Sequence, residues 1–358
     1  MEYLHLFKTK TDHDSFYRGN KYKEPWLAYI RDNTLVTGNK SYEYYRNEYF
    51  TLSALEDGEI TITIPNVIDQ NYATSLSYSK DKSNWTDTIV DNTEQTITIP
   101  VTSGENVYLK GVAKALFDGE GSGAHIDSSA NINASGNIMS LLYGDNFKDK
   151  TTFSNGSNYV FVMLFANNTH LINAENLILP ATTLANGCYA SMFLGCTSLT
   201  TAPSELPATT LAMACYGNMF GDCSSLTTAP ELPATTLANG CYSSMFSGCT
   251  SLTAAPELPA TTLADYCYNY MFGDCSSLTT APELPATTLA QNCYNEMFWG
   301  CRNLNSITML ATNISATDCL STWVSGVASS GTFTKAASMT SLPIGTSGIP
   351  SGWTVVNK

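Results

Sequence analysis

The sequence predicts a mostly β chain with short helices, in which an N-terminal β-sandwich is followed by an α/β solenoid of 26-residue coils. Three observations carry this. Residues 50–115 alternate apolar and polar side chains between turn signals. All eleven cysteines lie beyond residue 187, in two columns of fixed period. The blocks between those columns repeat a short strand, a proline corner and a run of apolar residues three or four apart.

Residues 1–48 come first, with eight Lys or Arg among many aromatics. Tyr22, Trp26 and Tyr29 are the aromatics expected to dock this segment on something, either the chain's own sandwich or another protein. Residues 49–117 are the expected sandwich, of immunoglobulin-like kind. Its strands are Glu59–Ile64, Thr96–Val101 and Asn106–Lys110, punctuated by Asp57-Gly58 and Ser103-Gly104. Residues 118–158 open on a Gly-rich stretch and are expected to be a linker and the first cap of the solenoid.

The solenoid is expected over 159–322. Cys188, Cys215, Cys241, Cys267, Cys293 and Cys319 form one column; Cys196, Cys223, Cys249, Cys275 and Cys301 form the other. Steps are 26 residues, with one of 27 where Ser204 is inserted. In the unit Leu226–Ser251, Leu237, Cys241, Met245 with Phe246, and Cys249 fall at helical spacing, which predicts one face of a short helix. Leu226, Ala229 and Leu232 supply the opposite wall. Pro230 and Pro233 lack an N–H and end the strand expected over Leu226–Ala229. One coil cannot bury its apolar face alone, so the units must stack, about 4.8 Å apart as in a β-ladder. Upstream, Val160-Phe161 and Leu164-Phe165 fill the Cys-Tyr and Met-Phe slots, with Asn168 in place of the second cysteine. Residues 323–358 are expected to close the far end.

The unit M-F-x-x-C-x-S-L-T-x-A-P-E-L-P-A-T-T-L-A-x-x-C-Y resembles the BspA-like leucine-rich repeats of Bacteroidetes and their phages, over roughly Asn137 to Lys358. The flanks Gly136–Tyr143 and Gly348–Trp353 look like those of such proteins. Tyr22–Tyr29 followed by a β-sandwich looks like the start of virion fibre or decoration proteins of Bacteroides-infecting, crAss-like or related phages. The resemblance implies a displayed adhesive protein, with a place in an extracellular virion or on a bacterial cell surface. It implies other virion proteins or identical copies as partners of the N-terminal region, a homo-oligomer, and a bacterial surface glycan or protein as partner of the repeats.

Net charge is −14, which argues against nucleic acid, since phosphate binding needs a basic face. No stretch reaches the roughly 18 apolar residues of a membrane helix, so membrane insertion is not expected. The first residues lack the apolar core of a signal peptide, and a removed signal is the competing reading. The cysteines of one coil are eight residues apart with no histidine beside them, which does not fit a zinc knuckle. Buried free thiols are the expectation. His5, His13, His125 and His170 all precede the cysteine columns, and no nucleophile–base pair can be assembled. No cofactor, metal or enzymatic activity is expected.

Two surface features remain. The pairs Thr182-Thr183, Thr209-Thr210, Thr235-Thr236, Thr261-Thr262 and Thr287-Thr288 should form a hydroxyl stripe, read either as solvated turn residues or as a glycan track. The slots flanking each Cys-Tyr vary among otherwise near-identical repeats. Tyr266, Tyr270, Asn295 and Trp299 lie in or beside them and are the candidate ligand or receptor contacts, against a background of neutral drift at solvent-facing positions.

Overall fold

A computed structural model describes residues 6–7, 28–31, 34–37, 42–64, 75–89, 95–112, 124–153 and 158–358. The described chain is mostly β, with few short helices. Strands β1 (Leu6–Phe7), β2 (Ala28–Arg31) and β3 (Thr34–Thr37) form a small sheet, followed by helix α1 (Tyr42–Arg46).

Two larger sheets follow. Strands β4 (Phe50–Ala54), β6 (Ser75–Ser79), β7 (Thr86–Ile89) and β9 (Asn106–Val112) join β11 (Ile132–Asn137) and β12 (Leu171–Ile178) in the order β12-β11-β4-β9-β6-β7. Strands β5 (Gly58–Ile64), β8 (Gln95–Val101) and β10 (His125–Ser128) form the other, in the order β10-β5-β8. The period-2 pattern sends Ile60, Ile62, Ile64 and Ile126 of one sheet, and Phe50, Leu52, Leu76 and Leu109 of the other, into one buried layer. Each such side chain contributes about 1.5–3 kcal/mol. Helix α2 (Ser140–Tyr143) buries Leu141 and Leu142 against this layer.

Residues 118–158, expected as linker and cap, therefore supply β10 and β11 to the two sheets. Strand β11 pairs antiparallel with β4 on one side and parallel with β12 on the other. From β12 a parallel ladder runs on, through the bridges Asn173↔Thr201 and Thr201↔Thr228. The N-terminal body and the repeats thus share a sheet and one continuous apolar core.

The repeats stack coil on coil, but the helix expected over Leu237–Cys249 is absent. In its place runs a series of tight turns in which alternate N–H groups have alternate destinations. Cys241, Ser243, Met245, Ser247 and Cys249 each donate three residues back within their own coil. Gly240, Tyr242, Ser244, Phe246 and Gly248 donate to Asp265, Cys267, Asn269, Met271 and Gly273 of the next coil. Every fourth residue of this turn wall, such as Ala214, Asn218 and Asp222, takes a positive φ. The reason is spacing. Ring centroids of successive coils lie 5.3–6.0 Å apart, from Phe165–Phe193 through Tyr268–Tyr294. An α-helix is about 10 Å across and keeps its hydrogen bonds to itself, so helices cannot stack at that distance.

The strand expected over Leu226–Ala229 also shrinks. Most proline-bearing coils make only single parallel bridges, such as Glu205↔Glu231 beside Pro230. Full strands appear toward the C-terminus, as β13 (Thr280–Leu284), β14 (Ser306–Met309), β15 (Thr332–Lys335) and β16 (Thr354–Asn357), all parallel. β14 to β16 carry no proline. Residues 323–358, expected to close the stack, add two further rungs, β15 and β16. Trp323 ends both ring columns, lying 6.3 Å from Tyr294 and 6.0 Å from Phe298. Its Nε1–H donates to the Gly348 carbonyl at 2.9 Å.

Candidate functional site

The stack is organised around its two thiol columns, and all eleven cysteines are buried free thiols. The second column forms a hydrogen-bonded series. Cys196, Cys223, Cys249, Cys275 and Cys301 each place Sγ 2.9–3.1 Å from a Phe carbonyl of the preceding coil. The first coil has no repeat before it. There Asn168 takes the thiol's place, donating Nδ2–H to the Ile126 carbonyl of β10 at 3.1 Å and accepting from the His170 N–H at 2.9 Å. Burial pushes the thiols of Cys196, Cys215 and Cys301 up to about 12. Such thiols stay protonated and pack as small hydrophobes. Among the described residues, no group of three His, Cys, Asp or Glu is placed to hold a metal, and no helix is long and apolar enough to cross a membrane.

What varies between coils projects from the turn wall. Each coil has three positive-φ slots, four residues apart: Gly187, Ser191 and Gly195; Ala214, Asn218 and Asp222; Gly240, Ser244 and Gly248; Tyr266, Tyr270 and Asp274; Asn292, Glu296 and Gly300. Of each variable pair flanking Cys-Tyr, the second residue occupies one of the first two slots. Tyr266 and Tyr270 adopt φ of 59° and 51°, a region that bulky side chains rarely occupy.

The structure brings three of the four candidate contacts together. The Tyr270 and Trp299 rings lie 6.1 Å apart at 39°. Asn295 lies beside them, accepting the Tyr270 N–H at its carbonyl (2.9 Å) and the Asn269 Nδ2–H at its Oδ1 (3.0 Å). Tyr266 stands one turn earlier on the same wall. Trp299 is 40% exposed and Tyr266 45%, whereas Tyr270 is half-buried. Two further residues build the shelf. The Tyr270 hydroxyl donates to Asp274 Oδ2 at 2.7 Å. Its ring lies over Gly273, where a Cβ would come within 2.4 Å of it. Burial first, then the Asp274 hydrogen bond and the charges of Asp274, Glu296 and Asp222, raise the Tyr270 phenol above its ordinary range. Gly273 and Asp274 were legible only as a difference between coils: the pair reads Gly-Asp at 221–222 and 273–274, but Ser-Gly at 247–248 and Trp-Gly at 299–300.

The threonine pairs are exposed and bridge in part from coil to coil, as in Thr183↔Thr210 and Thr236↔Thr262. Of the residues expected to anchor the N-terminal segment, Tyr29 belongs to β2, paired with Val36 of β3. Tyr22 and Trp26 lie outside the described residues. No protein-family model, curated protein or solved structure matches this chain.

Proposed function

We propose that this chain is a bacteriophage virion protein of the head or tail fibre or decoration kind, displaying a BspA-like leucine-rich-repeat solenoid for adhesion to the bacterial surface. On this reading 159–322 is the displayed solenoid, the two-sheet body is an immunoglobulin-like spacer, and the N-terminal segment attaches to the particle or to sister copies. One observation carries it: an invariant interior of Cys, Tyr, Met, Phe and Leu layers holds a wall whose outward slots differ from coil to coil. Such a frame presents different side chains at fixed spacing. Many copies on one particle would turn weak contacts into avidity, by a factor of about 100 or more.

Mass spectrometry of purified particles tests the location, and binding of the purified chain to host cells tests the adhesion. Presence in particles and saturable cell binding are expected. Absence from particles, with cell binding retained, would favour a bacterial surface adhesin. Absence of both would end the proposal.

A further inference from the structure

The repeats are almost without cations, so their acids go largely unbalanced. Between residues 158 and 334 there are ten Asp or Glu and a single Lys or Arg, Arg302. In the N-terminal body and the segment after it, the chain supplies its own cations to its rings: Lys110 Nζ sits 4.2 Å from the Trp85 centroid, Lys82 Nζ 4.6 Å from Tyr108 and Lys150 Nζ 5.0 Å from Tyr143. The Tyr270–Trp299 shelf is set among carboxylates instead, with Asp274 on the phenol and Glu296 and Asp222 within electrostatic reach of it. Ring faces carry negative potential, and carboxylates beside them add to it. The hydroxyl end of the Tyr270 ring is fixed twice, by its bond to Asp274 and by its seat on Gly273, so little order remains to be imposed on binding.

Resting on the reading of the turn wall as the adhesive face, we propose that Tyr270 and Trp299, with Asp274 and Glu296 beside them, dock a lysine or arginine side chain from a basic segment of a partner protein. The shelf is open to solvent, and a lone cation on an exposed ring gains only about 2- to 5-fold in affinity. A segment with several cations gains more. Side chains on one face of an extended strand recur about every 6.6 Å, close to the 5.7 Å between the Phe246 and Phe272 rings of successive coils. A basic strand running along the last coils of the stack therefore passes Asp265 and Asp274, then Glu296, then Asp318 on the turn wall.

The test uses the full chain and a labelled decapeptide of alternating lysine and serine, with the glutamate–serine decapeptide as control, read by fluorescence anisotropy. The lysine peptide is expected to bind, more weakly as salt rises, and the glutamate peptide is not. Trp299→Ala leaves net charge unchanged and should cost about 2- to 5-fold, with Trp299→Phe recovering part of it. Equal affinity for Trp299→Ala and the parent, with both folded by circular dichroism, would reduce the binding to diffuse charge attraction and overturn the site. So would no lysine-peptide binding, or Trp299-dependent binding of maltohexaose without it. Host-cell binding separates the two readings. Cell binding untouched by Trp299→Ala sinks this site and leaves the adhesive reading standing. Trp299-dependent peptide binding without cell binding does the reverse.

Discussion

Replacing Gly248 with alanine should destabilise the stack by more than its backbone conformation alone can account for. Gly248 has φ +70°, and a Cβ there would meet Asp222 Oδ1 of the preceding coil at 2.3 Å and Asp222 Cα at 3.2 Å. Gly240 is the natural control, with φ +58° and nothing within 4 Å of the added carbon. Both alanines carry the left-handed penalty of about 1–2 kcal/mol. Only Gly248→Ala also forces a side chain and backbone apart, an overpacking cost of about 1–3 kcal/mol. Gly248→Ala should therefore exceed Gly240→Ala by that second amount, and Asp222→Gly in the same chain should remove much of the excess. Urea unfolding followed by both circular dichroism and tryptophan fluorescence measures it, with coincident transitions required before free energies are compared. Equal destabilisation by the two alanines, within about 0.5 kcal/mol, would refute the coupling. The same logic holds at Asn167–Gly195 and Asp274–Gly300, where the Asn or Asp oxygen lies 2.4 Å from the position of the missing Cβ.

Trp323→Ala uncaps both ring columns and strands the Gly348 carbonyl, and should cost about 3–5 kcal/mol in urea unfolding, whereas Trp323→Phe should cost less. Alkaline pH should weaken the fold. Cys196, Cys215 and Cys301 move from 9.0 to about 12 on folding, so the unfolded chain loses protons first and stability falls as pH rises from 9 toward 12. Urea midpoints across that range check this, and a flat profile would contradict buried, protonated thiols.

Much of the architecture was legible because its signals are local or periodic. The isoleucine alternation in Glu59–Ile64 and Thr96–Val101 marks β5 and β8, since each strand buries one face. The equivalence of Val160-Phe161 and Leu164-Phe165 with the repeat slots predicts the stacks that form, Phe161 on Tyr189 at 5.8 Å and Phe165 on Phe193 at 5.5 Å. The turn wall was misread as helical because Leu237, Cys241, Met245 and Cys249 fit both periods. Their uniform step of four, without the steps of three that a 3.6-residue turn demands, was the available clue. The roles of β10 and β11 were hidden because their pairing with β5 and β4 is long-range, behind a Gly-rich stretch that reads as a linker.

Of the candidate site, the aromatics were found from their divergence between coils, but their support was not. Asn or Asp and Gly alternate down the third slot, through Asn167, Gly195, Asp222, Gly248, Asp274 and Gly300. The reason lies between coils, because each Asn or Asp oxygen occupies the space that the next coil's glycine leaves empty. Met219–Ala238 and Met271–Ala290 are identical, a 52-residue period laid over the 26-residue one. A single unit does not show that longer period, which sets Asp and not Gly at 222 and 274.

The claim on which the rest depends is that the coils form one stack with both thiol columns inside. Thiol labelling of the native chain, resolved cysteine by cysteine by mass spectrometry, tests it most directly. Cys215 through Cys301 should react only as fast as the stack opens, with Cys319, in the last coil to carry a cysteine, reacting first. Rapid labelling of Cys241 and Cys249 while circular dichroism and fluorescence report a folded chain would place those sulfurs in water and contradict the stack.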